Sequence, residues 1–469
     1  MRIVLQQQIE WLDSDLETVI GLFLNRIGQS PSVLLESAAM DGRWGRYSLA
    51  ATDFLLTARA VGGRLELTVD DPRLVPLQNL AGRPFLEGLR GIIDALCLEP
   101  ALELPLLPPI TRALYGYLGY GVAGMMEKKL ASVVPAEEAE AVFVLPGRIY
   151  FFDHVYNRLA RISLRKDKVP LILKLALGEA LGASSSPESF EFEEKSSFSR
   201  EDFISAVQHI QGLIRYGEAI QVVLSAQFSV PFAGDLFKVY RRLRHINPSP
   251  YMFFQRLPEI SLAVSSPEVM ISCEKGHLRL CPIAGTRPRG RTEAEDSKLA
   301  EELKADLKEQ SEHIMLVDLG RNDLGRVAAP GTVKVEAYME VERFSHVMHL
   351  TSQLSAKLAD GRNVIDILSA VFPAGTLSGA PKVRAMEIIA AHEKVARGPY
   401  GGALGWLGLD KDSINLDLGI TIRGLWTKGG QAFWQAGAGL VYDSDPDREW
   451  QECRHKSKVI RQALAAAGR

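Results

Sequence analysis

The sequence predicts an α+β protein built on antiparallel strands. Two observations carry that reading: β-rich runs come in pairs joined by tight-turn residues, and helical periods fall among them without the regular strand–helix–strand alternation of a doubly wound sheet. TARAV and RLELTV flank Gly62-Gly63, and GRIYFF and RLARISL flank the stretch from Asp153 to Asn157. Near the C-terminus INLDLGITIRGLW and QAFWQAGAGLVY repeat the pattern around Thr427-Lys428-Gly429-Gly430. Ser199 opens an S-x-x-D capping pattern with Asp202, and Phe203, Val207, Ile210 and Ile214 then recur at helical spacing down to Gly217. Residues 295–318 and 447–466 also read as helices, and no internal repeat is visible.

With 469 residues, 46% hydrophobic and 24% charged, the chain has the composition of an ordinary globular protein able to bury a large core. Its 54 Lys+Arg against 57 Asp+Glu give a formal charge of −3, too balanced for the broad basic surface that a phosphate backbone requires, so nucleic acid is not an expected partner. The opening MRIVLQQQIEWLDSDLE turns polar early, and no run approaches the roughly 20 apolar residues that span a bilayer, so no membrane association and a cytoplasmic location are expected. Cys97, Cys273, Cys281 and Cys453 lie far apart with no CxxC pair, which suggests free thiols. A Ser-, Pro- and Glu-rich stretch at 183–197 reads as a linker between an N-terminal domain, 1–182, and a second domain, 198–469. There is neither a GxxxxGK[ST] loop nor a GxGxxG opening a helix, so nucleotide-dependent chemistry has no support.

Two acidic couples stand three residues apart on expected helices: Glu309 with Glu312, and Glu449 with Glu452. Each couple shares one helix face, and facing couples would offer the oxygen ligands that Mg²⁺ takes while keeping several waters. Spacing alone leaves open a solvated helix surface, with Glu452 pairing with Lys456. Glycine-rich turns follow at PIAGTRPRG (282–290), FPAGTLSGAPK (372–382) and GAG (437–439), where backbone N–H groups could approach an anion and Thr286, Thr376 and Ser378 add hydroxyls; plain turns remain the alternative. Arg423 lies in the apolar strand ITIRGLW and must find a partner, which could be a bound carboxylate or a structural ion pair. Glu268, in the uncharged stretch SSPEVMIS, could become a proton donor through burial, or be a satisfied carboxylate at a strand start. His349 in SHVMHLTS poses the same choice.

Over 199–469 the strings GEAIQVVLSAQF, NPSPYMFF, SSPEVMI, PIAGTRPRG, EHIMLVDLGRNDLGR, VMHLTSQL, FPAGTLSGAPKVRAMEII, YGGALGWLG and AGAGLVYDSDPDREWQE together resemble the chorismate-utilising enzymes, and among them the large, component I, subunits of anthranilate synthases. LLES (34–37) and GYLGYG (117–122) extend the likeness more weakly into the N-terminal part. The resemblance implies antiparallel sheets packed as a sandwich with helices on the outside. It implies that Glu312 and Glu452 bind Mg²⁺, supported by Glu309 and Glu449. Arg423, Thr376, the Gly437-Ala438-Gly439 backbone, the Ala284-Gly285-Thr286 turn and Lys456 would hold chorismate; Glu268 would be the general acid, and His349 would serve the elimination step.

Two positions choose among members of the family. Gln221 stands where isochorismate and salicylate synthases carry a lysine base for water, and Ala284 where many aminodeoxychorismate synthases carry a nucleophilic lysine. Ammonia owns a lone pair and needs no such base, so the resemblance implies amination and formation of anthranilate and pyruvate, with aminodeoxychorismate synthase as the rival. Glu36, Ser37, Pro250, Tyr251 and Met252 match the tryptophan pocket of these subunits, with ordinary packing as the alternative. Cys97 in ALCLE lacks the surroundings of a glutaminase nucleophile, so ammonia is expected from a separate glutamine amidotransferase subunit in a hetero-oligomer. Ala226, Trp406 and His455 depart from the usual arginine, tyrosine and asparagine.

Overall fold

The computed structural model describes residues 2–14, 17–37, 45–100, 107–134, 140–164, 193–343 and 347–467. Among the described residues twenty-one strands join into one network in which every pairing is antiparallel, while Ile3–Gln6 and Leu96–Glu99 form a separate parallel pair. The expected hairpins are present: Tyr47–Val61 pairs with Arg64–Val69, Ala141–Asp153 with Arg158–Ser163, and Gly424–Lys428 with Gln431–Leu440. The last turn uses Gly429 and Gly430, both at positive φ, which lets the strands reverse in two residues.

Early and late parts of the chain share this network. Ser32–Glu36 pairs with Tyr251–Arg256, setting Glu36 opposite Met252, and Ala113–Leu118 pairs with Ala403–Gly408. Of the expected linker, Lys195-Ser196 adds a short strand beside Phe228 and Ser229, and residues 183–192 lie outside the described residues. Side chains alternate along Tyr251–Arg256, so Phe253 enters one core, whereas Met252 and Phe254 enter a second core shared with the helices Arg200–Arg215, Leu236–Ile246 and Pro446–Ala467.

Helix ends follow the capping chemistry. The Ser199 hydroxyl accepts from the Asp202 N–H, as the S-x-x-D pattern predicts. The helix expected over 295–318 is instead two, Glu293–Ala305 and Leu307–Gly325, because Asp306 takes an extended conformation and its carboxylate accepts from the Lys308 and Glu309 N–H groups. The expected strand ITIRGLW also breaks: Leu416–Ile420 and Gly424–Lys428 are separate strands, with Arg423 between them at φ 52°. Two of the three expected glycine turns are strand instead. PIAGT lies in Ile283–Pro288 with a bulge at Gly285 (φ 62°), and GAG lies inside Gln431–Leu440.

An aromatic cluster fastens the N-terminal segment to the helix-covered core. Phe23 stacks on Phe237 at 4.3 Å between ring centroids, and Phe254 meets both edge-on at 5.7 and 5.0 Å. Replacing the fully buried Phe237 by alanine should lower stability by about 3–5 kcal/mol, seen as an earlier urea midpoint with the slope unchanged.

Candidate active site

Gln221–Pro231 and Gln431–Leu440 form the floor of the site, and their register sets which amides are engaged. The Ser225 N–H donates to Glu393 Oε1 at 2.8 Å, and Lys456 Nζ donates to the Gly437 carbonyl at 3.0 Å. The Ser225–Gly437 pair is therefore a non-hydrogen-bonded one, so Gly437 and, by alternation, Gly439 point their N–H groups away from this partner strand, whereas Ala438 is bonded within the ladder. A Cβ on Gly437 would lie 2.8 Å from the Leu224 carbonyl oxygen and 3.0 Å from the Tyr400 hydroxyl oxygen, which excludes a side chain there, and one on Gly439 would lie 2.7 Å from Gln221 Nε2 and displace that amide.

Glu268 sits between the strands Ser261–Ser266 and Val269–Glu274. The Thr376 hydroxyl, on the short helical turn Gly375–Ser378, donates to Glu268 Oε1 at 2.7 Å; Ser378 is spent on the Ala374 carbonyl. Burial pushes the Glu268 carboxyl up to about 7, against the opposing effects of the Thr376 hydroxyl and the charges of Arg423 and Lys456. Near neutral pH this carboxyl holds a proton that it can give away. Burial lowers the pKa of Arg423, and Tyr400, Glu268 and Glu452 offset part of that effect. No carboxylate among the described residues forms an ion pair with Arg423; of the two partners the sequence left open, the structural pair is not seen there, and the guanidinium remains able to take an anion from outside the chain.

His349 lies opposite Thr286 across the strands Ile283–Pro288 and Val347–Lys357. Its Nδ1 is 2.8 Å from the Gly285 carbonyl and 3.1 Å from Thr286 Oγ1. A carbonyl only accepts, so Nδ1 carries the hydrogen and Nε2 the basic lone pair. Burial lowers the His349 pKa, the Gly285 carbonyl opposes this and Arg423 adds to it, so the ring is neutral at physiological pH. The bulge presents the Gly285 carbonyl to the ring, while Ala284 is buried beside it.

The four glutamates are held differently. Glu312 has a raised pKa, first from burial and then from the charge of Glu309, with Glu452 adding; a hydrogen bond from Gln221 and the charge of Lys456 oppose the rise. Glu449 is buried and also raised, with Ser444 donating to it. Lys456 reaches Glu452 at 2.5 Å, the pair that spacing allowed, and Arg287 reaches Glu309 at 3.3 Å. Among the described residues no three His, Cys, Asp or Glu side chains form a ready-made metal cage. The donor set fits a hard cation nonetheless: Glu312 and Glu452 are carboxylates that feel each other's charge, and Mg²⁺ needs only one or two carboxylates besides water.

Sequence reasoning missed the framework behind these groups. Arg397 is 3% exposed and donates to Glu393, to the Leu377 carbonyl at 2.6 Å and to the Val223 carbonyl at 2.7 Å, with its guanidinium over the rings of Tyr120 and Tyr400. The only local signal was an acid and an arginine four apart just after a helical period, followed by the PYGG string. Tyr400, beside Gly437 and electrostatically coupled to Arg423, was likewise not singled out.

A family model described as chorismate binding enzyme matches residues 89–462 of this sequence. The chain belongs to that family. A relative from Geobacillus stearothermophilus named anthranilate synthase component 1 is 40% identical over 93% of this chain and 89% of its own length. One of the same name from Thermus thermophilus is 38% identical over 97% and 96%. The crystal structure of anthranilate synthase component I from Streptococcus pneumoniae superposes with a TM-score of 0.72 at 31% identity, covering 96% of this chain and 98% of that one. A menaquinone-specific isochorismate synthase from Escherichia coli shares the fold, with a TM-score of 0.69, at 19% identity over 98% and 95%.

In this chorismate-binding chain, of the residues suggested for an inhibitor, Glu36 stands opposite Met252 in the strand register, whereas Tyr251 points to the other face of its strand. Glu36, 7% exposed, accepts from the Tyr240 hydroxyl at 2.7 Å and from Arg244 Nε at 3.1 Å. Ser37 Oγ is buried without a hydrogen-bond partner among the described residues, Met252 is fully buried, and Pro250 precedes Tyr251, whose hydroxyl donates to Asp417 at 2.6 Å.

No helix among the described residues is long and apolar enough to cross a membrane. Removing the Thr376 hydroxyl should raise the Glu268 pKa further, because that bond favours the charged carboxylate. In Thr376→Val the alkaline fall in kcat/KM assigned to loss of the Glu268 proton should therefore move to higher pH. A downward shift would contradict the assignment.

Proposed function

We propose that this chain converts chorismate and ammonia to anthranilate and pyruvate, as the large subunit of an anthranilate synthase and hence a lyase of tryptophan biosynthesis. The observation that carries the reading is a carboxyl poised to hold a proton at neutral pH, Glu268, that feels the charge of an arginine, Arg423, which makes no ion pair among the described residues. Chorismate carries two carboxylates, and desolvating them calls for cationic and N–H partners. Arg423, Lys456 and the outward amides of Gly437 and Gly439 supply these, and Thr376 keeps Glu268 aimed.

In the amination, nitrogen bonds to C2 while the C4–O bond breaks, and Glu268 gives its proton to the departing hydroxyl, which leaves as water. The intermediate, 2-amino-2-deoxyisochorismate, then loses its C2 proton and its enolpyruvyl group, aromatising to anthranilate and pyruvate. His349, neutral and with its lone pair on Nε2, is suited to accept that C2 proton. Gln221 is a neutral amide bonded to Glu312 and generates no hydroxide, which favours ammonia over water as the nucleophile. Mg²⁺, held by Glu312 and Glu452 with Glu309 and Glu449 behind them, would supply positive charge to a substrate carboxylate. Ammonia would come from a separate glutamine amidotransferase component, consistent with the component 1 names of the relatives. Glu36, Ser37 and the Pro250-Tyr251-Met252 segment would bind tryptophan as a feedback inhibitor.

Chorismate, Mg²⁺ and ammonium salts at alkaline pH should give fluorescent ortho-aminobenzoate and equimolar pyruvate, whereas glutamine should not replace ammonium. An amino group at C4 of the product, or isochorismate, would overturn the assignment. Glu268→Gln should lower kcat/KM by about 10²–10⁴ with little change in unfolding. Tryptophan at millimolar concentration or below should inhibit, and full activity there would remove the regulatory part of the proposal.

A further inference from the structure

The helix Leu307–Gly325 carries Glu309 and Glu312 and, about 100° round its axis from Glu312, turns the ring of His313 into the interior. His313 is wholly buried, and its Nε2 lies 2.6 Å from the hydroxyl of Ser352 on Val347–Lys357, the strand that also carries His349. Ser352 Oγ already accepts the Met339 N–H at 3.0 Å, where the neighbouring strand Lys334–Arg343 is bulged and Met339 takes φ 51°. The hydroxyl hydrogen is therefore left for His313 Nε2, which puts the single hydrogen of the neutral ring on Nδ1. That nitrogen finds no hydrogen-bond partner among the described residues.

Packing alone does not account for a histidine here. A leucine would fill similar room with no polar atom stranded, whereas the ring leaves a buried N–H unmet, a cost set against the one directional bond it makes. Farther along the helix, Gly320 lets it approach the same strand closely: a Cβ there would lie 2.7 Å from Leu354 Cδ1. Apolar contacts of that kind set a distance but let a helix turn, while a hydrogen bond sets a direction. Atoms at the surface of a helix lie about 5–6 Å from its axis, so a turn of about 20° moves a carboxylate by about 2 Å. Mg²⁺ demands near-ideal geometry, with oxygens at about 2.0–2.1 Å, so a turn of that size would lose a ligand.

We infer that His313 is a positioning residue for the cation site: through Ser352 it locks the rotation of its helix so that Glu309 and Glu312 are held toward Glu452, without itself touching ion or substrate. The inference rests on the magnesium reading proposed above. It also gives the strand of His349 a second task, since the group suited to the elimination step and the anchor of the metal helix stand three residues apart on it.

The test is Mg²⁺ titration of the full chain, read both as the concentration for half-maximal activity and as the concentration for half of the Mg²⁺-induced rise in melting temperature. His313→Leu should raise both about tenfold or more, with kcat at saturating Mg²⁺ and KM for chorismate little changed. Ser352→Ala, which leaves the ring in place, should do the same, and it decides the matter if His313→Leu does not fold. His313→Gln, whose amide oxygen can accept from the Ser352 hydroxyl, should restore the parental values. Val317→Ala, which trims a buried apolar side chain of the same helix, should lower the urea midpoint and leave the Mg²⁺ dependence alone. Parental Mg²⁺ dependence in His313→Leu and Ser352→Ala, or an equal shift in Val317→Ala, overturns the inference. A parent chain whose activity and melting temperature ignore Mg²⁺ overturns the cation site itself, and the inference with it.

Discussion

One buried guanidinium holds the site together. Arg397 bonds the carbonyl of Leu377, next to Thr376, and the carbonyl of Val223, two residues along the strand from Gln221, while Glu393 balances its charge and takes both the N–H and the hydroxyl of Ser225. The turn that carries Thr376, the strand that carries Gln221 and the segment after helix Lys382–His392 are thus fixed to one rigid planar fork. A lysine could not replace it, because a point charge cannot address two carbonyls and a carboxylate in fixed directions. Every bond is satisfied, so the pair can be buried; removing either partner would strand the other as an unpaired charge.

Around this fork the protein arranges opposing electrostatic pressures. Burial drives Glu268, Glu312 and Glu449 toward their protonated forms, while His349 is driven toward neutrality and the pKa of Arg423 is lowered. The groups that would relieve these pressures are an anion beside Arg423 and a cation beside the glutamates. Groups suited to such ligands are therefore held in place by the folded chain in advance, without the reorganisation that water would need.

How much of this the sequence reveals depends on the range of the interaction. Hairpins at Gly62-Gly63 and Gly429-Gly430 and the cap at Ser199 are decided by neighbours within a few residues, and they appear where local chemistry places them. The breaks at Asp306 and at Arg423 were not legible: each sits in a run whose period continues across it, and a side-chain cap or a positive φ overrides the pattern. Glu268, Thr376, Arg423 and His349 could be named because they stand in dense, ordered motifs, but the hydrogen bond between Glu268 and Thr376 joins residues far apart in the chain and only the fold reveals it. Arg397 escaped notice for the same reason, since apart from Glu393 and Tyr400 its partners are distant.

The pairing of Ser32–Glu36 with Tyr251–Arg256 has a consequence for biogenesis. At about 5–20 residues per second, the ribosome leaves the early strand waiting roughly ten seconds or more for that mate. During that interval Val33 and Leu34, wholly sequestered at the end, have no late strand to cover them. The nascent chain thus passes through a stage with a sticky open edge, when chaperone capture competes with aggregation.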